Sequence, residues 1–199
     1  MMIKSKRNQE LRELAFSLGM DYREKDDWGI IRLMSEFKLF QRGFDKKIIN
    51  ILSDRDSNDG FVAIVFDYHY KVSTGKTTSV FKQTVFFIES KQLGLPHFWM
   101  RPETIFDKVS EWLGFNDIDF DTHPEFSKNY YLKGEDADYI RATMNDDFLH
   151  FFSFSKNWYL EGIGYYMILY NKHKLQKPQH IKYLYITGRK LFEFFKIKD

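Results

Sequence analysis

The sequence predicts an α+β fold, in which a mainly antiparallel sheet of about five to eight strands carries N-terminal, middle and C-terminal helices. Runs rich in β-branched and aromatic residues follow one another with short turns between them, at residues 47–53, 61–72 and 79–89. Segments with apolar residues at helical spacing lie on both sides of these runs, at residues 8–18, 103–113 and 180–195. A chain of 199 residues suits one hydrophobic core, so we expect a single domain over 1–199.

The first helix is expected over residues 8–18, because its apolar residues recur every three or four positions. They are Leu11, Leu14, Ala15 and Leu18. Asn8 is the expected N-cap, and Gly19 stands where a left-handed residue ends many helices. Residues 28–40 have a looser apolar pattern, which predicts a short helix followed by an extended lead into the sheet.

The three central strands are expected to form a meander, since strands joined by tight turns pair antiparallel. The sequence Ser-Asn-Asp-Gly at 57–60 predicts the first turn, and Ser-Thr-Gly-Lys at 73–76 predicts the second. The second turn ends like a phosphate-binding loop. Tyr70, however, occupies the position of that motif's first glycine, and the motif leads into a helix, whereas a strand follows here. We therefore interpret residues 73–78 as a hairpin turn.

The second half of the chain is predicted to alternate short helices and strands. The helix at 103–113 is expected to end at Gly114, and the last helix is expected to begin near Pro178. The other predictions are extended structure at 98–101, an irregular segment at 117–127, a strand at 130–133, helices at 137–143 and 146–154, and one or two strands within 158–170. Asn145 is the expected N-cap of the helix at 146–154, and Gly162 and Gly164 predict a bulge or bend.

The composition excludes several kinds of site. The chain has no cysteine, which excludes disulfides, thiolate metal sites, iron–sulfur centres and a cysteine nucleophile. No run approaches the roughly 18 apolar residues of a membrane span, and charges interrupt the N-terminal segment where a signal peptide needs an apolar core. We expect a cytoplasmic protein, with a position at the cytoplasmic membrane face left open, and no motif indicates a cofactor.

The charge distribution argues against a nucleic-acid partner. The net charge of +2 is too small for strong electrostatic steering. Basic residues are concentrated near the end of the chain, at Lys172, Lys174, Lys177, Lys182, Arg189, Lys190, Lys196 and Lys198. In the last helix the rings fall at core spacing and the lysines fall outside that stripe, which is typical of a helix docked on a sheet.

An acidic run supplies the candidate metal site. Asp117, Asp119 and Asp121 alternate with apolar residues, so in an extended conformation their carboxylates share one face. His123 lies close enough to extend the set, and carboxylate oxygens suit a hard divalent cation. The run lacks the glycine and glutamate of a calcium-binding EF loop. A surface segment held by two apolar anchors therefore remains the alternative interpretation.

A second candidate polar site comprises Asp67, His69, Arg101 and Glu103. Asp67 and His69 lie two apart in a predicted strand and therefore share a face, opposite Phe66, Tyr68 and Tyr70. A carboxylate beside an imidazole can orient a general base, but a hydrogen-bonded polar stripe has the same pattern. Arg101 and Glu103 flank Pro102, and we expect them to form a turn into the following helix.

Several stretches resemble an uncharacterised family of bacterial proteins. They are FDYHY at 66–70, GK at 75–76, QTV at 83–85, LPHFWMRPE at 95–103 and DIDFDTHPEFSKNYYLKGEDADYIR at 117–141. The resemblance covers nearly everything from Leu18 onward. It implies a soluble domain that in other members often follows an N-terminal transmembrane helix, and it implies no activity. Because this sequence lacks such a helix, at most a peripheral association with a membrane is expected here.

The leading hypothesis is a non-catalytic binding or interaction domain. A rich apolar inventory coexists with no complete catalytic or cofactor motif, and the partner would be a protein or a small ligand held against the sheet. One alternative is a metal-assisted hydrolase that uses Asp117, Asp119 and Asp121. Another is weak nucleic-acid binding through the basic C-terminal helix. The oligomeric state is left open.

Overall fold

Eight strands form one antiparallel sheet in the computed structural model, which describes residues 6–56, 60–104 and 118–197. The strands are β1 (Asp21–Lys25), β2 (Phe44–Asp56), β3 (Phe61–Ser73), β4 (Thr78–Ser90), β5 (Leu95–Pro102), β6 (Tyr130–Gly134), β7 (Tyr159–Gly164) and β8 (Tyr166–Tyr170). Their order across the sheet is β1-β2-β3-β4-β8-β7-β5-β6. Every neighbouring pair is antiparallel. The predicted fold class is therefore confirmed.

Seven helices accompany the sheet in the described residues. They are α1 (Lys6–Ser17), α2 (Ile30–Leu33), α3 (Lys38–Gln41), α4 (Pro124–Asn129), α5 (Ala137–Thr143), α6 (Asp146–Phe154) and α7 (Pro178–Phe195). None of the helices in this part of the chain is both long enough and apolar enough to cross a membrane.

The meander of β2, β3 and β4 is confirmed, and it is long. β3 and β4 pair from Phe61↔Ser90 to Ser73↔Thr78 without a register shift. The turn that joins them contains Gly75 at φ 86, a left-handed value that glycine adopts without a steric penalty. Residues 73–78 therefore form a hairpin turn, as predicted. Residues 57–59 of the other predicted turn lie outside the described residues.

The alternation of side chains along the strands creates two cores, one on each face of the sheet. On one face, strand residues such as Val65 and Phe86 pack against α1, α6 and α7. On the other face, Phe66 and Tyr68 belong to a smaller core with the residues of α2 and α3. Successive side chains of a strand point to opposite faces, so the near-continuous apolar runs of β3 and β4 supply both cores at once.

As predicted, α1 is followed by a glycine in the left-handed conformation. Gly19 has φ 69, its N–H donates to Phe16 O, and the N–H of Met20 donates to Ala15 O. This pair of bonds is the Schellman motif, which satisfies carbonyls left open at a helix end. The N-cap prediction is wrong, because α1 already includes Lys6 and Asn8 therefore lies within the helix.

The caps and short elements elsewhere in the chain match the predictions in part. The N-cap at Asn145 is confirmed, since its Oδ1 accepts from Phe148 N at 3.0 Å. Residues 158–170 form two strands with Gly164 at φ 55 beside the turn. No element was expected where β1 lies, and α4 falls in a segment predicted to be irregular. Glu103 and Thr104 follow β5 outside any helix, and residues 105–113 of the predicted helix lie outside the described residues.

Candidate functional site

A groove lies where β7 begins and β8 ends, beside the start of α7. Its volume is about 870 Å³, and we call it the β7–β8 groove. Its apolar lining comes from Phe154, Trp158, Tyr159, Tyr183 and Leu184. Its polar lining comes from Ser155, Lys156, Asn157, Asn171, Lys172, His173, Lys174, Gln176 and His180. The lining thus combines rings with five basic side chains and contains no carboxylate.

Hydrogen bonds hold the segment after β8 in place along the groove. Gln83 accepts from the N–H of His173 at 2.9 Å, and Lys174 O accepts from the N–H of Thr84 at 3.0 Å. The side chain of Asn171 donates to Asn157 O at 2.7 Å. The loop before β7 and the loop after β8 are therefore tied to each other and to β4, so this part of the groove is preformed.

The apolar section of the groove is built around Trp158. Its indole is almost fully buried and lies 6.2 Å from the ring of Tyr183, measured between centroids. Tyr183 is 56% exposed and Phe154 is 74% exposed. Such exposure is costly for rings of this size, and together they offer apolar surface to a ligand.

A second recess adjoins the groove and shares Tyr159 and Lys172 with it. We call it the cationic recess; its volume is about 500 Å³, and Lys38, Gln41, Arg42, Trp99, Arg101, Tyr159 and Lys172 line it. Lys38 Nζ lies 4.1 Å from the centroid of the Trp99 ring, and Arg101 Cζ lies 4.4 Å from that of Tyr131. The cations thus lie against aromatic faces, an arrangement that favours positive charge.

The cations of this recess act on one another's pKa values. Burial is the main cause that lowers the pKa of the Lys172 ammonium, and the neighbouring Arg42 and Arg101 lower it further. Burial also lowers the pKa of His173, and Lys172 and Arg42 add to that effect. A nearby positive charge disfavours the protonated form of a basic group and so lowers its pKa. These lowered pKa values therefore indicate that several cations lie within electrostatic reach of one another.

A buried carboxylate positions α3 beside the recess. Glu161 is 4% exposed, and its oxygens accept from the N–H groups of Lys38 at 2.6 Å and Leu39 at 3.2 Å. The hydroxyl of Tyr170 donates to the same carboxyl group at 3.0 Å. Glu161 therefore holds the start of α3, and with it Lys38, against the sheet.

The Glu161→Gln variant should remove a pH dependence of stability. Burial raises the pKa of Glu161 above its ordinary value of 4.5. With a raised folded-state pKa, the protonated group stabilises the fold fully below the ordinary pKa, and that contribution is lost as the pH rises through the folded-state pKa. The wild type should therefore lose free energy of unfolding relative to the variant from about pH 4 upward. Urea unfolding of both proteins between pH 4 and 8 measures this difference; a difference that stays constant or grows contradicts the prediction.

Asp67 lies under α1 in a saturated hydrogen-bond network. Its side chain is 1% exposed, and each of its two oxygens accepts two hydrogen bonds. Arg7 donates from Nε at 2.7 Å and from Nη2 at 2.8 Å. Thr84 donates at 2.9 Å and Asn50 at 3.0 Å. With all four lone pairs in use, this carboxylate ties α1 to three strands. It has no acceptor site left with which to take a proton from a substrate.

His69 shares the predicted strand with Asp67, but it is not part of this network. Its Nε2 is buried without a hydrogen-bond partner among the described residues. Burial is the main cause that lowers the pKa of its imidazole, and Lys82 lowers it as well. Among the described residues, Asp67 is therefore hydrogen-bonded to Arg7 and not to His69. The carboxylate–imidazole pair that the sequence suggested is not formed.

The described carboxylates of the acidic run lie at the surface. Asp119 and Asp121 are exposed, and His123 Nδ1 lies 3.0 Å from Thr122 Oγ1. Within residues 6–56, 60–104 and 118–197, no group of three or more metal-ligating side chains could hold an ion. Asp117 lies outside the described residues, so the four-residue metal site stays a prediction.

Arg101 and Glu103 lie at the end of β5. Arg101 Nη1 donates to Pro102 O at 3.2 Å and its guanidinium faces the rings of the cationic recess. The N–H of Glu103 donates to Asn129 O at 2.8 Å. Arg101 thus belongs to the recess, and not to a site with Asp67 and His69.

No local pattern in the sequence indicates the groove or the cationic recess. Basic residues are concentrated near the chain end, but Trp99, Arg42 and Lys38, which line the recess, come from segments far from them in sequence. Trp99 and Arg101 share a face of β5, as do Tyr159 and Glu161 of β7. The sequence shows which residues share a face within each strand. It does not show that β5 pairs with β7, and this pairing brings the two sets of residues together.

Comparisons with known proteins show a fold and no family. No family model matches the chain, and no curated protein sequence matches it. Among solved structures, the chain is similar to the crystal structure of the mycobacterial trehalose monomycolate transport factor A, TtfA, with a TM-score of 0.63 and 10% sequence identity. The match covers 98% of each chain. At this identity the likeness shows a common fold, and the resemblance to a bacterial family seen in the sequence motifs stays a prediction.

Proposed function

We propose that this chain is a non-catalytic binding domain, and that the β7–β8 groove holds the apolar part of an amphiphilic ligand. The observation that carries the proposal is the lining of the groove, in which exposed rings lie beside basic side chains. Small-molecule sites typically occupy about 300–1,000 Å³ and combine apolar walls with a few polar groups. The groove has that size and that composition.

The buried carboxylates support a binding role over catalysis. A general base needs a free lone pair within reach of its substrate. Asp67 uses all its acceptor sites within the fold, and Glu161 accepts three hydrogen bonds that hold α3 and β8. Both groups therefore serve the architecture around the groove.

The likeness to TtfA gives the proposal a second, independent support. TtfA is named as a factor in the transport of trehalose monomycolate. That name describes a role in transport and no catalysed reaction. We extend only a non-catalytic role to this chain, because a shared fold hosts many functions.

An uncharged fluorescent probe, N-phenyl-1-naphthylamine, tests the proposal. We expect a saturable rise in fluorescence with one site per chain. The Tyr183→Ser and Phe154→Ser variants should each weaken binding about tenfold, since losing a ring contact costs roughly 1.5 kcal/mol. Both rings are largely exposed, so the variants should fold normally.

Phe16→Ser is the matched control. Phe16 is 88% exposed on α1 and does not line the groove. Its loss should leave the affinity of the probe unchanged. If the wild type shows no saturable binding, or if Phe16→Ser weakens the probe as much as the groove variants do, the proposal fails.

A further inference from the structure

The cationic recess brings together four positive charges from three separate parts of the chain. Lys38 comes from α3, Arg42 follows that helix, Arg101 comes from β5, and Lys172 follows β8. All four line one space of about 500 Å³. Charges gathered from such distant segments repel one another, and nothing in the local sequence of any one segment requires the cluster.

The acids near the recess are already engaged. Glu161 lies beneath Lys38, where it is buried and accepts from two backbone N–H groups and from Tyr170. Glu135 lies in the adjoining hollow and contacts His97 Nδ1 at 2.9 Å. Lys133 also lies in that hollow and adds a further positive charge near Lys38. The lining of the recess itself contains no carboxylate.

The side chains in the recess suit an oxyanion. Guanidinium groups present paired N–H donors that match the oxygens of phosphate, sulfate or carboxylate, and an ammonium adds a mobile point charge. Trp99 and Tyr159 form walls that exclude water from one side of these cations, which strengthens their attraction for an anion. Tyr159 and Lys172 also line the β7–β8 groove, so the two spaces adjoin each other at these two side chains.

We infer that the cationic recess binds a phosphate-type oxyanion as the head group of the amphiphile whose apolar part lies in the β7–β8 groove. This inference rests on the proposed function. Arg42, Arg101 and Lys172 supply the donors, and Lys38 contributes charge from its position over the face of Trp99. Because Tyr159 and Lys172 line both spaces, the head group and the apolar part would lie on either side of these two residues.

Inorganic phosphate provides the first arm of the test. Melting temperatures are measured in sodium phosphate and in sodium chloride at equal ionic strength. At about ten times the dissociation constant, phosphate should raise the melting temperature of the wild type by about 3–6 °C. Arg42→Gln and Lys172→Gln should lose most of that rise. Both residues are exposed, so the variants should fold.

Lys182→Gln is the matched control, because Lys182 is exposed on α7 and lines neither space. It should keep the full rise. Phosphate also stabilises proteins in general by exclusion from their surfaces. An equal rise in the wild type and all three variants would reveal only that general effect and would overturn the inference.

The second arm separates an amphiphile's head group from free phosphate. Dodecyl phosphate and the uncharged dodecyl maltoside, both below their micelle concentrations, compete with N-phenyl-1-naphthylamine. Dodecyl phosphate should displace the probe at a concentration about tenfold lower, and Lys172→Gln should remove this advantage. Equal displacement by the two detergents overturns the inference while probe binding itself still supports the groove. Failure of the probe to bind would instead reject the proposed function.

Discussion

Replacing Asp67 with asparagine is expected to lower the free energy of unfolding by about 3–5 kcal/mol, because it leaves a partly buried charge without its counterion. Arg7 is only 25% exposed and makes two of its hydrogen bonds to this carboxylate. An asparagine offers one acceptor oxygen where the carboxylate offers two, so donors from α1, β2 and β4 would compete for it. Urea unfolding of the wild type and the variant, with unchanged m-values, measures the loss.

Asp54→Asn is the matched control for this prediction. Asp54 also faces an arginine, Arg189 at 3.6 Å, and Arg189 is 28% exposed, close to the value for Arg7. Asp54 itself, however, is 30% exposed and Asp67 only 1%. Partly exposed pairs contribute about 0–1 kcal/mol, so the control should lose far less stability. Equal losses in the two variants would show that burial of the Asp67 network is not what stabilises α1 on the sheet.

A double-mutant cycle isolates the pair. Arg7→Gln alone should also be strongly destabilising, since it leaves a buried carboxylate with only the neutral donors Thr84 and Asn50. The double variant Arg7→Gln/Asp67→Asn should lose less free energy of unfolding than the sum of the two single losses, by at least about 1 kcal/mol. Strictly additive losses would contradict the assignment of these two residues to one network.

Gly188→Ala is expected to destabilise the protein by about 1–3 kcal/mol, although alanine is the better helix former by about 1 kcal/mol. Gly188 lies within α7 where the helix crosses β4. A Cβ built at this position would lie 2.3 Å from two ring carbons of Phe86. Phe86 is fully buried, so its ring cannot swing into solvent and α7 would have to move off the sheet. Chemical unfolding measures the sign of the change.

Two further variants make this test decisive. Ile186→Ala changes an exposed position of the same helix and should alter stability by no more than about 0.5 kcal/mol. Phe86→Leu provides space beneath Gly188, so Gly188→Ala should cost less in that background than in the wild type. A stabilising effect of Gly188→Ala in the wild type would show that the helix does not contact the sheet as closely as described.

The central strands were predictable because their signals are local. β2, β3 and β4 combine β-branched and aromatic residues with turn sequences at their ends. The run of apolar residues in each strand is too long for a loop. β1 was missed since its sequence, Asp-Tyr-Arg-Glu-Lys, is polar and charged. Such residues are common on an edge strand, where they discourage further pairing, but they read as a connection in a linear sequence. α4 was missed because it is only six residues long.

The site could be predicted only in fragments. Sequence alternation placed Asp67 opposite Phe66 and Tyr68, and the structure has those rings in the other core. It could not reveal Arg7 as the partner of Asp67, since 60 residues separate them. The groove needs β8 to insert between β4 and β7, an order that no local pattern specifies. Long-range strand order was therefore the missing information, and it determines both the recess and the groove.

The position of β8 has a consequence for how the chain must be made. β4 pairs with β8 through residues such as Glu89↔Tyr166, so its second edge is closed only by a segment synthesised about eighty residues later. At about 5–20 residues per second, a ribosome needs several seconds to supply that segment. During this interval the nascent meander presents open backbone groups flanked by phenylalanines, a template for pairing with other chains. We therefore expect that, during synthesis, this protein depends on chaperones that bind exposed strands, and more strongly than the stability of the folded state suggests.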